Sequence, residues 1–350
     1  MNYNNFHKRS LFIKAIYPLL WPIALLSKLT PKNKNIKIFS SMSGYQIADN
    51  AKYLFLNTPI NNRRWITKNK ELCKSATITP RPIYAYSLRG IYLQLTAKEA
   101  YFTHSIFDFV PMLIMGSKII NLWHGVPLKE IGPPSDWKNK SVLRRRILTI
   151  YYKVFKYAYY MHCDTVVCPE KSLEDDYKRF FSIPNPKIKI EKQARNTFSK
   201  KQEKRLEILY APTHRMQIPG SNIKDTLEKT RVFSKIISDF LKKHDIVLVI
   251  RPHPIDSESI KSIDLLHPYI LDTSIDIYES INKYALVITD YSSLFYDSNE
   301  LNIPCMVVAH DPACYIKAVG LTPKYQNILS EENKFNFESA IPTIKKILKL

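Results

Sequence analysis

Glycine is scarce in this chain. Seven glycines in 350 residues, at 44, 90, 116, 125, 132, 220 and 320, are about a third of ordinary usage, and no two lie closer than seven positions. That spacing excludes both G-x-G-x-x-G and G-x-x-x-x-G-K-[ST], so a conventional dinucleotide fingerprint and a P-loop are absent. Cysteine is sparse as well. Cys73, Cys163, Cys168, Cys305 and Cys314 offer neither a disulfide framework nor metal-ligand spacing, although His162 adjoins Cys163, and they read as reduced buried thiols of a cytosolic protein. Acidic residues are under-represented, 31 Asp+Glu against 52 Lys+Arg, for a formal charge of +21. A surplus of that sign suits nucleic acid, an anionic membrane surface or a phosphate-bearing substrate. Of the 52 cations, 14 are Arg and the remaining 38 Lys, beside abundant Asn, Ile and Tyr. Such a composition raises charge without any ligand, so only local clusters support an argument.

Long apolar runs are missing too. Leu11–Leu29 is mostly apolar, but its charge-free part, 15–27, contains Pro18 and Pro22 and is about 13 residues, short of the roughly 20 that span a bilayer. The basic lead His7-Lys8-Arg9 imitates a secretory signal, yet no small-x-small cleavage site follows. Trp21, flanked by Lys8, Arg9, Lys28, Lys32 and Lys34, reads as an interfacial anchor facing an anionic leaflet. Residues 1–34 are therefore expected to form a basic-apolar membrane-surface segment. The alternative is a helix packed on the protein's own body.

From residue 35 the pattern alternates between strand and helix. Strands are expected at 36–40, 64–67, 100–103, 118–122 and 165–167, and again at 207–211, 246–250, 285–289 and 305–309. Helices are expected over 47–57, 138–160, 170–181, 223–243, 275–282 and 293–301, with a charged linker near 200–205. Apolar strands joined by helices imply parallel sheets. Two such sets imply an α/β protein of two Rossmann-like domains facing a cleft, 35–199 and 200–350. In such sheets ligands sit at the carboxyl ends of strands.

Four polar clusters lie just past expected strands. The first is Asn121-Leu122-Trp123-His124-Gly125-Val126-Pro127-Leu128-Lys129. An imidazole at a strand end suits proton transfer near neutrality, although a lone histidine there is as easily a satisfied core residue. Ala211-Pro212-Thr213-His214-Arg215, Arg251-Pro252-His253-Pro254 and Thr289-Asp290-Tyr291-Ser292-Ser293 end three strands of the second half. Arg offers a planar fork to phosphate. Ser292-Ser293 opens a helix, whose free N–H groups favour an anion or accept a simple cap. Together these clusters indicate an enzyme with a diphosphate-bearing substrate and a candidate histidine base. No acidic ligand cluster lies near them, and no metal or cofactor is assigned.

In order and spacing, from about residue 36 to 320, the chain resembles the CDP-glycerol glycerophosphotransferase family, the polymerases and primases of teichoic-acid and related capsule synthesis. The resemblance rests on Trp123–Lys129 (the family's W-H-G-T-P-L-K), Ile208–Arg215, Arg251–Pro254 and Ile288–Asp297, with a weaker echo in Gly44 and Asp49–Tyr53. It implies the GT-B fold, a peripheral position at the cytoplasmic face of the membrane, and transfer of glycerol phosphate from CDP-glycerol to a hydroxyl of a lipid-linked acceptor, releasing CMP. It implies His124 as the base that activates that hydroxyl. It places Arg251 and His253 on the diphosphate, where they stabilise the leaving CMP. Ser292 and Ser293 would hold phosphate, with Asp297 one turn on, and Trp123, Gly125, Pro127, Pro212, Thr213 and Arg215 would line the same pocket. The family's G-x-P-R-N-D segment appears as Lys192-Gln193-Ala194-Arg195-Asn196-Thr197, keeping Arg195 for the donor but losing Gly, Pro and Asp. Val126 replaces a Thr, which leaves room for CDP-ribitol or another cytidylyl-activated polyol. A GT-B glycosyltransferase using a nucleotide sugar is the competing activity.

One basic stretch stands apart. Lys138, Lys140, Arg144, Arg145, Arg146, Lys153 and Lys156 occur with no acid between Trp137 and Cys163, interleaved with five tyrosines from Tyr151 to Tyr160. Its place after the His124 loop favours an anionic membrane or lipid-diphosphate acceptor over nucleic acid. The plain alternative is a solvated helix face.

Overall fold

A computed structural model describes residues 17–183, 185–199, 202–216, 218, 221–253, 256, 259–260, 265–274 and 276–350. The basic lead at 7–9 and the first residues of the expected 200–205 linker lie outside the described residues. The chain forms two compact units, one within 1–124 and 131–198, the other 125–130 with 199–350. The segment Gly125–Glu130, which follows the histidine of the first motif, belongs to the second unit.

The first unit holds a seven-stranded, wholly parallel sheet. Its strands are β1 (Asn33–Phe39), β2 (Arg63–Thr67), β3 (Ile83–Tyr84), β4 (Ala97–Phe102), β5 (Lys118–Asn121), β6 (Thr165–Cys168) and β7 (Lys187–Ile190), in the order β3-β2-β1-β4-β5-β6-β7. Ile38, Phe39, Trp65, Ile66, Ala100, Phe102 and Val166 are fully buried, as a sheet covered on both faces requires. Phe55, from the helix Asp49–Leu56, meets Phe39 and Trp65 edge to face at 5.6 and 5.5 Å. Strand order reverses between β1 and β4, which opens a crevice at their carboxyl ends.

The second unit repeats the plan with β8 (Arg205–Ala211), β9 (Val247–Ile250), β10 (Tyr269–Leu271), β11 (Tyr284–Thr289) and β12 (Cys305–Val307), parallel in the order β10-β9-β8-β11-β12. Ile208, Tyr210, Leu248, Ile250, Leu286 and Ile288 pack with Phe337 and Ile344 of the helix Phe337–Leu348. Here the order reverses between β8 and β11.

Several expected elements are redrawn. The helix expected over 223–243 is two, Ile223–Lys229 and Lys235–Lys243. Buried Thr230 turns its hydroxyl back to the Thr226 carbonyl, Arg231 adopts φ +54°, and Ser234 caps the second helix by accepting the Ile237 N–H. The 138–160 stretch narrows to Val142–Val154, started by Ser141 accepting the Arg144 N–H. The 275–282 helix is a pair of single 3₁₀ turns, Ile277–Glu279 and Ile281–Lys283. The short edge strands β3, β7 and β10 were not foreseen, nor were the helices Leu88–Thr96, Pro312–Val319, Pro323–Glu332 and Phe337–Leu348.

Near the amino end, the helix Trp21–Leu29 docks one side on the first unit. Ala24 and Ser27 are buried, and Ser27 donates to the Leu113 carbonyl at 2.7 Å. Trp21, Ile23, Leu25, Leu26 and Leu29 remain exposed. Among the described residues no helix is long and apolar enough to cross a membrane.

Candidate active site

In the first unit the residues that end β1, β4 and β5 build one constellation around His124. Asn121, the last residue of β5, accepts the Trp123 N–H on its side-chain oxygen at 2.8 Å. Trp123 takes φ +54°, a left-handed conformation that a bulky residue holds only when its surroundings enforce it. Buried Asn50 supplies that enforcement. Its amide donates to the Trp123 carbonyl (2.9 Å) and to Gln193 Oε1 (3.0 Å), and its oxygen accepts the Arg195 N–H (3.0 Å). Asp49, at φ +63°, pairs with the Arg195 guanidinium at 2.8 Å. Arg195, kept for the donor on sequence grounds, is thus buried and tied to Asp49.

His124 is fixed at one nitrogen. Its Nδ1 lies 3.0 Å from the Thr103 carbonyl oxygen, which can only accept, so the proton sits on Nδ1 and Nε2 keeps its lone pair. The ring of His104 stacks on it, centroids 4.2 Å apart and planes within 5°. His104 Nδ1 in turn hydrogen-bonds Thr103 Oγ1 at 2.8 Å. Beneath them the buried Asp108 carboxylate accepts the N–H groups of Thr103 and His104 (3.2 Å each) and of Ser43 (2.8 Å). Burial pushes the His124 pKa down, Asp49 and the Thr103 bond oppose that, and Arg195 adds to it. Burial and then His124 push His104 to about 3. Burial works against ionisation of Asp49, but Arg195, His104 and His124 hold its carboxyl below the usual range. Near neutrality the site therefore holds two neutral imidazoles, a carboxylate and a guanidinium. Sequence reasoning missed His104 and gave Asp49 no role. The available signal was the rule that found His124, a polar residue directly after an expected strand.

The second unit gathers its polar groups at the β8/β11 reversal. Asp290 accepts the N–H groups of Thr213 (2.8 Å) and Tyr291 (2.6 Å) on one oxygen and pairs with Arg215 (2.8 Å) through the other. Arg215 also pairs with Asp311 at 3.0 Å and lies over the faces of Tyr291 and Tyr315, which stack at 3.7 Å. At 1% exposure this guanidinium, which its position after a strand had offered to the donor, is engaged by Asp290 and Asp311 and braces the two strand-end loops.

Other groups of this unit are suited to an oxyanion. The rings of His214 and His253 lie 4.6 Å apart. Lys129, from the 125–130 segment, sits over Tyr315 at 5.3 Å. Burial lowers Lys129 to about 8, Asp290 opposing and Arg215 assisting, and burial with His214 and Lys129 lowers His253 to about 4. Thr213 Oγ1, His214 Nδ1, His310 Nδ1 and the Tyr315 hydroxyl are buried without a hydrogen-bond partner, an unusual concentration in one place. Gly125 adopts φ +121°, open in practice only to glycine, and Pro212 is buried while Pro127 is half-buried.

Other residues singled out from the sequence stand differently. Arg251 is engaged by Asp272 and by Ser274, each at 2.8 Å. Ser292 accepts the Leu294 N–H (3.3 Å) at the start of the helix Leu294–Glu300, and Ser293 is its N-cap residue without a side-chain bond. Asp297 is buried and accepts the Tyr278 hydroxyl at 2.8 Å. Trp21, Lys138, Arg144, Arg145 and Arg146 are all exposed.

Comparison with known proteins converges on one family. The CDP-Glycerol:Poly(glycerophosphate) glycerophosphotransferase family matches residues 23–349. The chain is 25% identical to the teichoic acid poly(glycerol phosphate) polymerase of Bacillus spizizenii over 331 residues, 88% of this chain and 81% of that protein. It is 24% identical to the teichoic acid glycerol-phosphate primase of Bacillus subtilis over 273 residues, 74% of this chain and 68% of that protein. Its fold is that of the wall teichoic acid polymerase TagF, with a TM-score of 0.67 at 17% identity, covering 100% of this chain and 90% of that one. A TagF variant soaked with CDPG gives 0.66 at 20% identity, with the same coverage of both chains. With motifs, fold and near-complete coverage in agreement, the chain belongs to the CDP-glycerol:poly(glycerophosphate) glycerophosphotransferase family.

Proposed function

We propose that this enzyme moves glycerol phosphate from CDP-glycerol to an acceptor hydroxyl, with His124 as the general base. The observation that supports the base assignment is the Nδ1–H bond to the Thr103 carbonyl, which leaves Nε2 as the one nitrogen able to take a proton. The acceptor hydroxyl gives its proton to Nε2 as its oxygen bonds to phosphorus, and the bond from phosphorus to CMP breaks. Asp49 offsets the charge that His124 acquires. In the second unit Lys129, His214, His253 and Thr213 form the diphosphate subsite, stabilising charge on the transferred group and the departing CMP. Arg251, Ser292 and Ser293 border it. The acceptor is lipid-linked, and the protein meets it as a peripheral protein at an anionic, cytoplasmic membrane surface through Trp21 and the helix Val142–Val154. CDP-ribitol is the alternative donor to assay.

His124→Ala is expected to lower transfer by about 10²–10⁴, the usual worth of a general base. Calorimetric binding of CDP-glycerol should be retained. Near wild-type incorporation of radiolabelled CDP-glycerol into membranes by the variant would remove the assignment.

A further inference from the structure

We propose that His104 is a positioning residue for the base: stacked face to face on His124 and hung from the same Thr103, it fixes the plane and tautomer in which His124 offers Nε2. This rests on His124 being the base, and it assigns work to a residue outside every motif that identifies the family.

An imidazole turns about χ2 in a broad, roughly two-fold well, so a single hydrogen bond at Nδ1 does not hold its plane. Rotation by half a turn would put Cδ2 in place of Nδ1 and Cε1 in place of Nε2, losing the Thr103 bond and turning the basic nitrogen away. His104 opposes both movements, because a ring 4.2 Å away and within 5° of parallel leaves no space for the His124 ring to tilt toward it. Trp123 lies 4.4 Å from the same ring, tilted by 32°. The plate is itself anchored. Thr103 holds His124 through its carbonyl and His104 through its hydroxyl, so one residue sets both rings. Asp108 clamps the backbone N–H groups of 103 and 104.

The electrostatics agree with a plate rather than a relay. The charged or titratable groups acting on His124 and His104 are Asp49 and Arg195, with Asp108 and Lys68 beneath the 103–104 backbone. His104, held near 3, stays neutral while His124 accepts its proton, and two stacked imidazolium rings would repel one another. The acquired charge is answered by Asp49, itself kept ionised chiefly by Arg195.

Two substitutions in the full chain separate the roles. His104→Ala removes the plate, while His104→Phe keeps a flat ring that cannot titrate. In the transfer assay with CDP-glycerol, His104→Ala should lose about 10–100-fold in kcat, the scale of a misplaced catalytic group. Donor KM should stay unchanged, and His104→Phe should recover most of the rate. Equal losses in both variants would instead make His104 a proton carrier, and an unaltered kcat in His104→Ala would leave it idle. Either result overturns the proposal. Nitrogen-15 histidine spectra test the tautomer without activity: wild-type His124 should be protonated at Nδ1 alone, and His104→Ala should show both tautomers. A mixture already present in the wild-type enzyme also overturns it, even where a variant fails to fold. Full turnover by His124→Ala sinks the base assignment, whereas the spectra judge the plate independently.

Discussion

Arg215 and His124 follow strands in the same way, yet their environments give them opposite duties. His124 retains a bare nitrogen, whereas Arg215 is spent on Asp290 and Asp311 between two tyrosine faces. Burial alone would lower the Arg215 pKa, but the two carboxylates hold it above its ordinary value. Removing one partner of a buried pair costs about 3–5 kcal/mol because the other charge is left uncompensated. Arg215→Ala is therefore expected to lower Tm by roughly 6–20 °C at about 2–4 °C per kcal/mol. Differential scanning calorimetry checks this, and a lost donor affinity with unchanged Tm would show that the guanidinium serves the ligand after all. The duty of Arg215 was illegible in the sequence because its partners lie 75 and 96 residues downstream. His124 was legible because motif and strand end coincide, and His104 was legible in principle, since β4 was expected where it is found.

Among the elements, buried strands announced themselves and half-buried ones did not. Val247–Ile250 and Tyr284–Thr289 are apolar runs enclosed on both faces, whereas β7, reading Lys-Ile-Lys-Ile, is an edge strand with mostly exposed side chains and no core signature. The break at Thr230 follows from burial and hydrogen bonding of one threonine, which helical periodicity does not register. The helix Val142–Val154 presents the reverse case, a correct pattern without a core to bury it. Leu143, Ile147, Ile150 and Val154 recur at helical spacing, yet each is more than half exposed, with Arg144, Arg145, Arg146 and Lys153 around them. A stripe of that kind lies comfortably in a lipid interface. Burying one such side chain is worth about 1.5–3 kcal/mol. Leu143→Glu with Ile147→Glu should therefore reduce vesicle association by at least about tenfold while leaving the far-ultraviolet circular dichroism unchanged. Flotation of the double variant at wild-type level would show that this stripe does not touch lipid.

At the scale of the whole molecule, the scarcities and the surplus fit one design. A chain whose seven glycines are so dispersed cannot build a glycine-rich phosphate loop, and the proposed diphosphate subsite relies on side-chain donors in its place: Lys129, His214, His253 and the Thr213 hydroxyl. The net charge of +21 has a different consequence, because most of it is carried by exposed lysines. Exposed charge acts over a Debye length, about 10 Å at 0.1 M salt and about 3 Å at 1 M. Each basic residue near an anionic surface contributes about 1 kcal/mol while unscreened, whereas apolar burial is not screened. The two contributions to membrane binding therefore separate on a salt axis. Association with phosphatidylglycerol-containing vesicles should fall steeply between 0.1 and 1 M salt, as roughly 1 kcal/mol per engaged cation is screened. It should then level at a residue set by Trp21 and the Val142–Val154 stripe. The glutamate double variant should lose much of that residue and keep the steep phase. Equal binding to neutral and anionic vesicles at low salt would show that the surplus is compositional and that the apolar faces act alone.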